Sequence, residues 1–128
     1  MKSLPNQSGY ALVTLLFFII ISITISTGAV VVLVNSMQST TRQELGLSAY
    51  YIAESGIENA ILRLLRDPNY IGETLVASGG TTIIQVTKNG NQYTIRSEGT
   101  QGNFTRTIQA SALSTDGILT ITQWEEVE

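Results

Sequence analysis

The chain has 128 residues, a net charge of −3 and neither cysteine nor histidine. That length suits one domain and hardly two. Lacking both residue types, it has no thiolate or imidazole metal centre, no cysteine nucleophile, no Ser-His-Asp triad and no disulfide framework. Its acidic balance leaves no electrostatic footprint for nucleic acid.

Charge is unevenly spread: Lys2 is the only charged residue before Arg42, so residues 3–41 are neutral throughout. Residues 1–9 (MKSLPNQSG) are short, polar and weakly basic and end in Gly9. A helix does not readily begin before Pro5, and Ser8 or Gly9 is expected to cap it, which would leave the Gly9–Tyr10 bond accessible.

From Tyr10 the chain is apolar, and Ala11 to Val34 is a 24-residue run broken only by hydroxyl side chains and Gly28. As a helix this run is about 36 Å long, enough for a hydrocarbon core of about 30 Å. Residues 10–35 are therefore read as a transmembrane helix. Its hydroxyls pose no obstacle, because they can bond back to helix carbonyls. Three readings fit such a segment: a secretory signal peptide, whose apolar core would be shorter and followed by a small-residue cleavage site; a plain single-pass anchor; and a processed helix with residues 1–9 as its leader.

Residues 36–128 form the exposed domain. Beyond a polar stretch from Asn35, apolar residues recur at helical spacing: Leu45, Ala49, Ile52, Ala53, Gly56, Ile57, Ala60, Ile61 and Leu64. Along this stripe Ala49, Ala53, Gly56 and Ala60 are small enough for a sheet to approach closely. Gly46 and Gly56 each cost a helix about 1 kcal/mol, so each calls for a packing reason. Glu54, Glu58, Arg63 and Arg66 fall largely off the stripe, on a solvated face. Asp67-Pro68 is expected to end the helix at about residue 67.

After an irregular connector with Gly72, Gly79 and Gly80, β-branched alternation begins. Thr82–Thr87 and Gln92–Ser97 flank an Asn-Gly hairpin signal at Asn89-Gly90. Phe104–Ala112 and Ile118–Trp124 follow further glycine turns. The expected fold is α+β: a long N-terminal hydrophobic helix whose amphipathic half packs on a four-stranded antiparallel sheet spanning 82–124. The acidic end WEEVE is read as a solubilising terminus. No carboxylate grouping comes with a reacting partner or a phosphate-binding loop, so no enzyme, cofactor or metal is expected.

Gly9 followed at once by a long apolar helix resembles the processing site of type IV pilin-like proteins, in which a prepilin peptidase cuts after such a glycine on the cytoplasmic face. Ala49–Leu64 (AYYIAESGIENAILRL) is similar to the Ala-Glu-small-Gly-hydrophobic segment of PilX-like minor pilins. Together the two likenesses cover about the first half of the chain. The resemblance implies cleavage between Gly9 and Tyr10, with Tyr10 as the new terminus and a candidate for methylation. It also implies insertion in the cytoplasmic membrane with the C-terminal domain outside, followed by export into a cell-surface filament. Implied partners are other pilin or pseudopilin subunits, the prepilin peptidase, an inner-membrane assembly platform and membrane lipid.

Major pilins carry Glu at the fifth mature position, where this chain has Thr14. A carboxylate in mid-membrane costs about 2.5–3.5 kcal/mol on insertion scales, and in the family a neighbouring subunit's amino group neutralises it. Thr14 removes both the cost and the partner, as in some minor pilins and the K-type minor pseudopilin. The implied role is a minor subunit at or near the filament tip of a pilus, competence or secretion system, with Thr14 and Gly28 assigned to assembly. The alternative is a single-pass membrane-anchored extracellular binding module that keeps its leader and does not polymerise.

Overall fold

A computed structural model describes residues 7–77 and 79–128; residues 1–6 of the expected leader lie outside the described residues. Its elements in chain order are α1 (Gln7–Arg66), β1 (Thr74–Ala77), β2 (Gly80–Asn89), β3 (Gln92–Gln101), β4 (Phe104–Thr115) and β5 (Ile118–Val127). The fold is α+β with one long N-terminal helix and one antiparallel sheet. That sheet has five strands in the order β1-β2-β3-β4-β5, one more than expected. Two units can be distinguished, Met1–Thr41 and Arg42–Glu128.

The described part of α1 is already helical at Gln7, so Ser8 and Gly9 lie within the helix instead of capping it. Gly9 weakens a helix by about 1 kcal/mol, which is too little to stop one. At the other end the helix stops at Arg66, as Asp67-Pro68 predicts. The Asp67 N–H donates to the Arg63 carbonyl at 2.8 Å, and the Asn69 N–H donates to the Asp67 carboxylate at 2.9 Å, so the chain leaves in a tight turn. Arg63 and Arg66 in the last turn complement the helix dipole.

In the Arg42–Glu128 unit the predicted stripe faces the sheet. Gly46, Ala49, Ile52, Ala53, Gly56, Ile57, Ala60 and Leu64 are buried, while Leu45 and Ile61 are half-buried at its margins. They meet Ile84, Tyr93, Ile95, Ile108, Ala110 and Ala112, the inward alternates of β2, β3 and β4. Those side chains align across the strands, Tyr93 with Ala112 and Ile95 with Val86 and Ala110. The outer face is polar, as in the row Gln85, Arg96, Gln109 and Glu125.

The extra strand, β1, lies in the stretch expected to be an irregular connector. It pairs with β2 from Thr74 opposite Ile83 to Ala77 opposite Gly80, and two bonds extend the ladder: Ile84 N–H to the Glu73 carbonyl at 2.8 Å and Val86 N–H to the Ile71 carbonyl at 2.9 Å. Gly72 makes this approach possible. At its φ of 125° an added Cβ would run into the Ile84 carbonyl. Strand β5 also runs past its expected end at Trp124, so the acidic terminus is strand, with Glu125 opposite Gln109 and Glu126 opposite Ile108. A register shift at Ser111/Ala112 leaves Thr122 as the extra residue on β5, and its hydroxyl donates to the Ser111 carbonyl at 3.1 Å.

Where the helix ends, Tyr70 donates to the Glu73 carboxylate at 3.0 Å, and Arg63 pairs with the same oxygen at 3.1 Å. Burial, then the bond to Glu73 and its negative charge, push the Tyr70 phenol up from 10.0 to about 12. Because the folded-state value lies above the unfolded one, the folded chain holds this proton longer. The resulting stabilisation is complete below pH 10 and is lost as pH rises through about 12. In a tyrosinate absorbance titration, one phenol is expected to ionise near pH 12, and Tyr70→Phe should remove that step. Identical curves for the two proteins would contradict this assignment.

Candidate functional site

The first candidate surface is the bare part of α1. Eighteen large apolar or aromatic side chains between Tyr10 and Met37 are 41–82% exposed, and none of the most apolar 18-residue window is buried. Keeping a Val, Leu, Ile or Phe in water forgoes about 1.5–3 kcal/mol of burial energy each. Summed over the run, that is tens of kcal/mol, several times the stability of a whole domain. Such a segment is costly to leave in water. By length and composition α1 can cross a membrane.

The threonines of this segment bond back within the helix. Thr14, Thr24 and Thr27 donate to the carbonyls of Tyr10, Ile20 and Ile23, each at 2.8 Å. Thr40 and Thr41 do the same at 3.0 Å. Such back-bonding hides each hydroxyl from an apolar medium at little cost. For Thr14 it means that the only polar side chain in the first turns of the run already has its partner. A Cβ added at Gly28 would meet nothing within 4 Å, so no contact among the described residues accounts for that glycine.

The junction ahead of the run is also placed. Gly9 has open space around it, and Tyr10 is 82% exposed. The bond between them lies within the described part of α1. Thr14 lies one turn further on, linked to Tyr10 by its hydroxyl. The structure thus groups Gly9, Tyr10 and Thr14 at one end of α1. Gly28 lies well along the same helix.

The four small residues of the stripe form a seam with the sheet. Ala49, Ala53 and Ala60 are fully buried. Gly56 sits on a hydroxyl pair, Thr82 Oγ1 to Ser97 Oγ at 2.8 Å, and a Cβ at Gly56 would collide with both groups. Each hydroxyl satisfies the other, which makes this buried polar spot tolerable. Opposite, Gly99 of β3 approaches so closely that a Cβ there would strike the Ala49 carbonyl and the Ala53 nitrogen. Sequence reasoning found the helix side of this seam but missed Gly99, which reads as one more turn glycine beside Gly102.

Gly46, whose packing reason the sequence left open, lies beneath Arg106 of β4. A Cβ at Gly46 would be 3.5 Å from one terminal nitrogen of that guanidinium. Arg106 pairs with Glu126 at 2.8 Å, and both side chains are partly exposed. An arginine on an inward strand position gives no periodic signal, so sequence reasoning missed this pair. Among the described residues no group of three or more acidic side chains is placed to hold a metal ion.

Comparison with known proteins returned no matching family model, curated protein or solved structure.

Proposed function

We propose that the protein is a minor structural subunit of a type IV pilus or related pseudopilus filament, placed at or near the tip, with no catalytic role. The observation that carries this reading is the uninterrupted α1. One 60-residue helix joins a bare apolar surface to a half that is firmly packed on a sheet. Lipid tails and the helices of neighbouring subunits satisfy the same apolar surface about equally well. Transfer from membrane to filament therefore exchanges one apolar environment for another, and modest packing differences decide it.

In this reading residues 1–9 are a leader removed by a prepilin peptidase, and Lys2 stays cytoplasmic in accord with the positive-inside rule. The sheet-bearing unit faces outward, and an inner-membrane platform extracts the mature chain. Thr14, closed on the Tyr10 carbonyl, offers no charge to a neighbour's amino terminus. A second reading, the uncleaved single-pass anchor carrying a binding module, is favoured by one observation: Gly9 and Tyr10 already belong to the helix.

Intact-mass analysis of the membrane-extracted protein distinguishes them. The subunit reading expects a chain that begins at Tyr10, and Gly9→Leu should abolish processing by blocking a site that tolerates only a small residue. Retention of Met1 and Lys2 in the mature protein would establish the anchor instead.

A further inference from the structure

The sheet is wider than the helix that covers it. Helix α1 lies over β3 and its neighbours, touching Gly99 of β3 and the Thr82–Ser97 pair between β2 and β3. The inward rows continue past that cover, from Tyr93 through Ala112 to Ile121, and from Ile95 through Ala110 to Trp124. Ala110 and Ala112 are fully buried, yet Ile121 and Trp124 on β5 remain 39% and 38% exposed. From β3 to β5 is two strand spacings, about 9.5 Å. Two packed helices lie about 8–10 Å apart. Leu119 of β5 packs against the core, and the exposed part of the face, at Ile121 and Trp124, is where a second helix packed beside α1 would lie.

One end of this face is a groove of about 460 Å³ between α1 and the β4–β5 pair, lined among others by Arg42, Leu47, Tyr50, Phe104 and Arg106. Leu47 is 57% exposed, so part of the lining is open apolar surface. Two guanidiniums and the Glu126 carboxylate line it, giving a local positive excess on a chain whose net charge is −3. Arg42 has no ion pair among the described residues. Arg106 gives Glu126 one terminal nitrogen, which leaves the rest of its donor fork for another acceptor.

We propose that this face receives an amphipathic helix of a neighbouring protein subunit, lying beside α1 over β5 and setting a carboxylate against Arg42 and Arg106. The apolar face of that helix covers Leu47, Ile121 and Trp124, and the charge fixes its register. The identity of the neighbour as a filament companion rests on the proposed function; the geometry of the face does not.

The test places a photo-cross-linking amino acid at Ile121 in the full-length protein in its native membrane, with Gln85 on the outer face of the sheet as control, and sequences the cross-linked peptides. The expected product joins position 121 to a helical, acid-bearing segment of another membrane-anchored protein, and position 85 gives none. Arg42→Glu should lower the yield about fivefold or more, and reversing the partner's acidic residue to lysine should restore it. Labelling of lipid alone, equal products from both positions, or a yield indifferent to Arg42→Glu would overturn the proposal. A helix cross-link from a protein that retains residues 1–9 would leave this face standing and sink the filament reading. A processed, filament-borne protein without the cross-link would sink this face alone.

Discussion

Gly99→Val is expected to cost the Arg42–Glu128 unit about 3 kcal/mol, the upper end of the usual range for overpacking. An added Cβ would meet the Ala49 carbonyl, the Ala53 nitrogen and the Ala53 Cβ, and the first two are backbone atoms of a helix that cannot swing aside. Valine's higher strand propensity returns about 1 kcal/mol at most, and a typical domain has only about 5–15 kcal/mol in total. Helix and sheet would have to separate, exposing Ile57, Ile95 and Ile108, which are now fully buried. Thr94→Val, on the outer face of the same strand, is the control and should change stability by no more than about 0.5 kcal/mol. Limited proteolysis and thermal unfolding of the full chain in micelles read both variants. Equal stability for Gly99→Val and the parent would mean that helix and sheet are not in the contact described.

On the proposed filament reading, Thr14→Glu is expected to raise the copy number of this protein in filaments severalfold relative to the major subunit. In the parent chain the Thr14 hydroxyl is occupied by the Tyr10 carbonyl at 2.8 Å and carries no charge. Repeating such a subunit along a fibre would leave each neighbour's charged amino terminus without a partner in a dry core, which is costly. Placing it once, at the tip, avoids the repetition. Glutamate restores a partner for that amine, while adding about 2.5–3.5 kcal/mol to the cost of residence in the membrane. The opposing terms make the outcome specific: more copies in the fibre, less protein stored in the bilayer. Unchanged or reduced incorporation would show that the charge at this position does not set abundance.

Much of the architecture was legible because it rests on periodicity. The neutral run through Val34, the 3.6-residue stripe from Ala49 to Leu64 and the Asn-Gly hairpin each repeat a signal over many residues. What stayed hidden depends on single residues or on pairing partners. Four residues, Thr74–Ala77, are too few to show alternation, and their strand exists because Gly72 lets the chain approach β2. The acidic end reads as a tail until β4 pairs with it, with Arg106 against Glu126.

The candidate site divides in the same way. Ala49, Ala53, Gly56 and Ala60 were found from spacing alone, and the structure buries all four. Gly99 and Arg106, which face them or continue their line, emerge only from the strand register. Gly28 has no contact among the described residues that explains it.

Mass spectrometry of sheared surface filaments tests the filament reading most directly. The predicted result is that this chain is present in them, begins at Tyr10, and occurs at a small fraction of the most abundant subunit. Its absence from filaments, with intact Met1–Glu128 recovered only from the membrane, would contradict it.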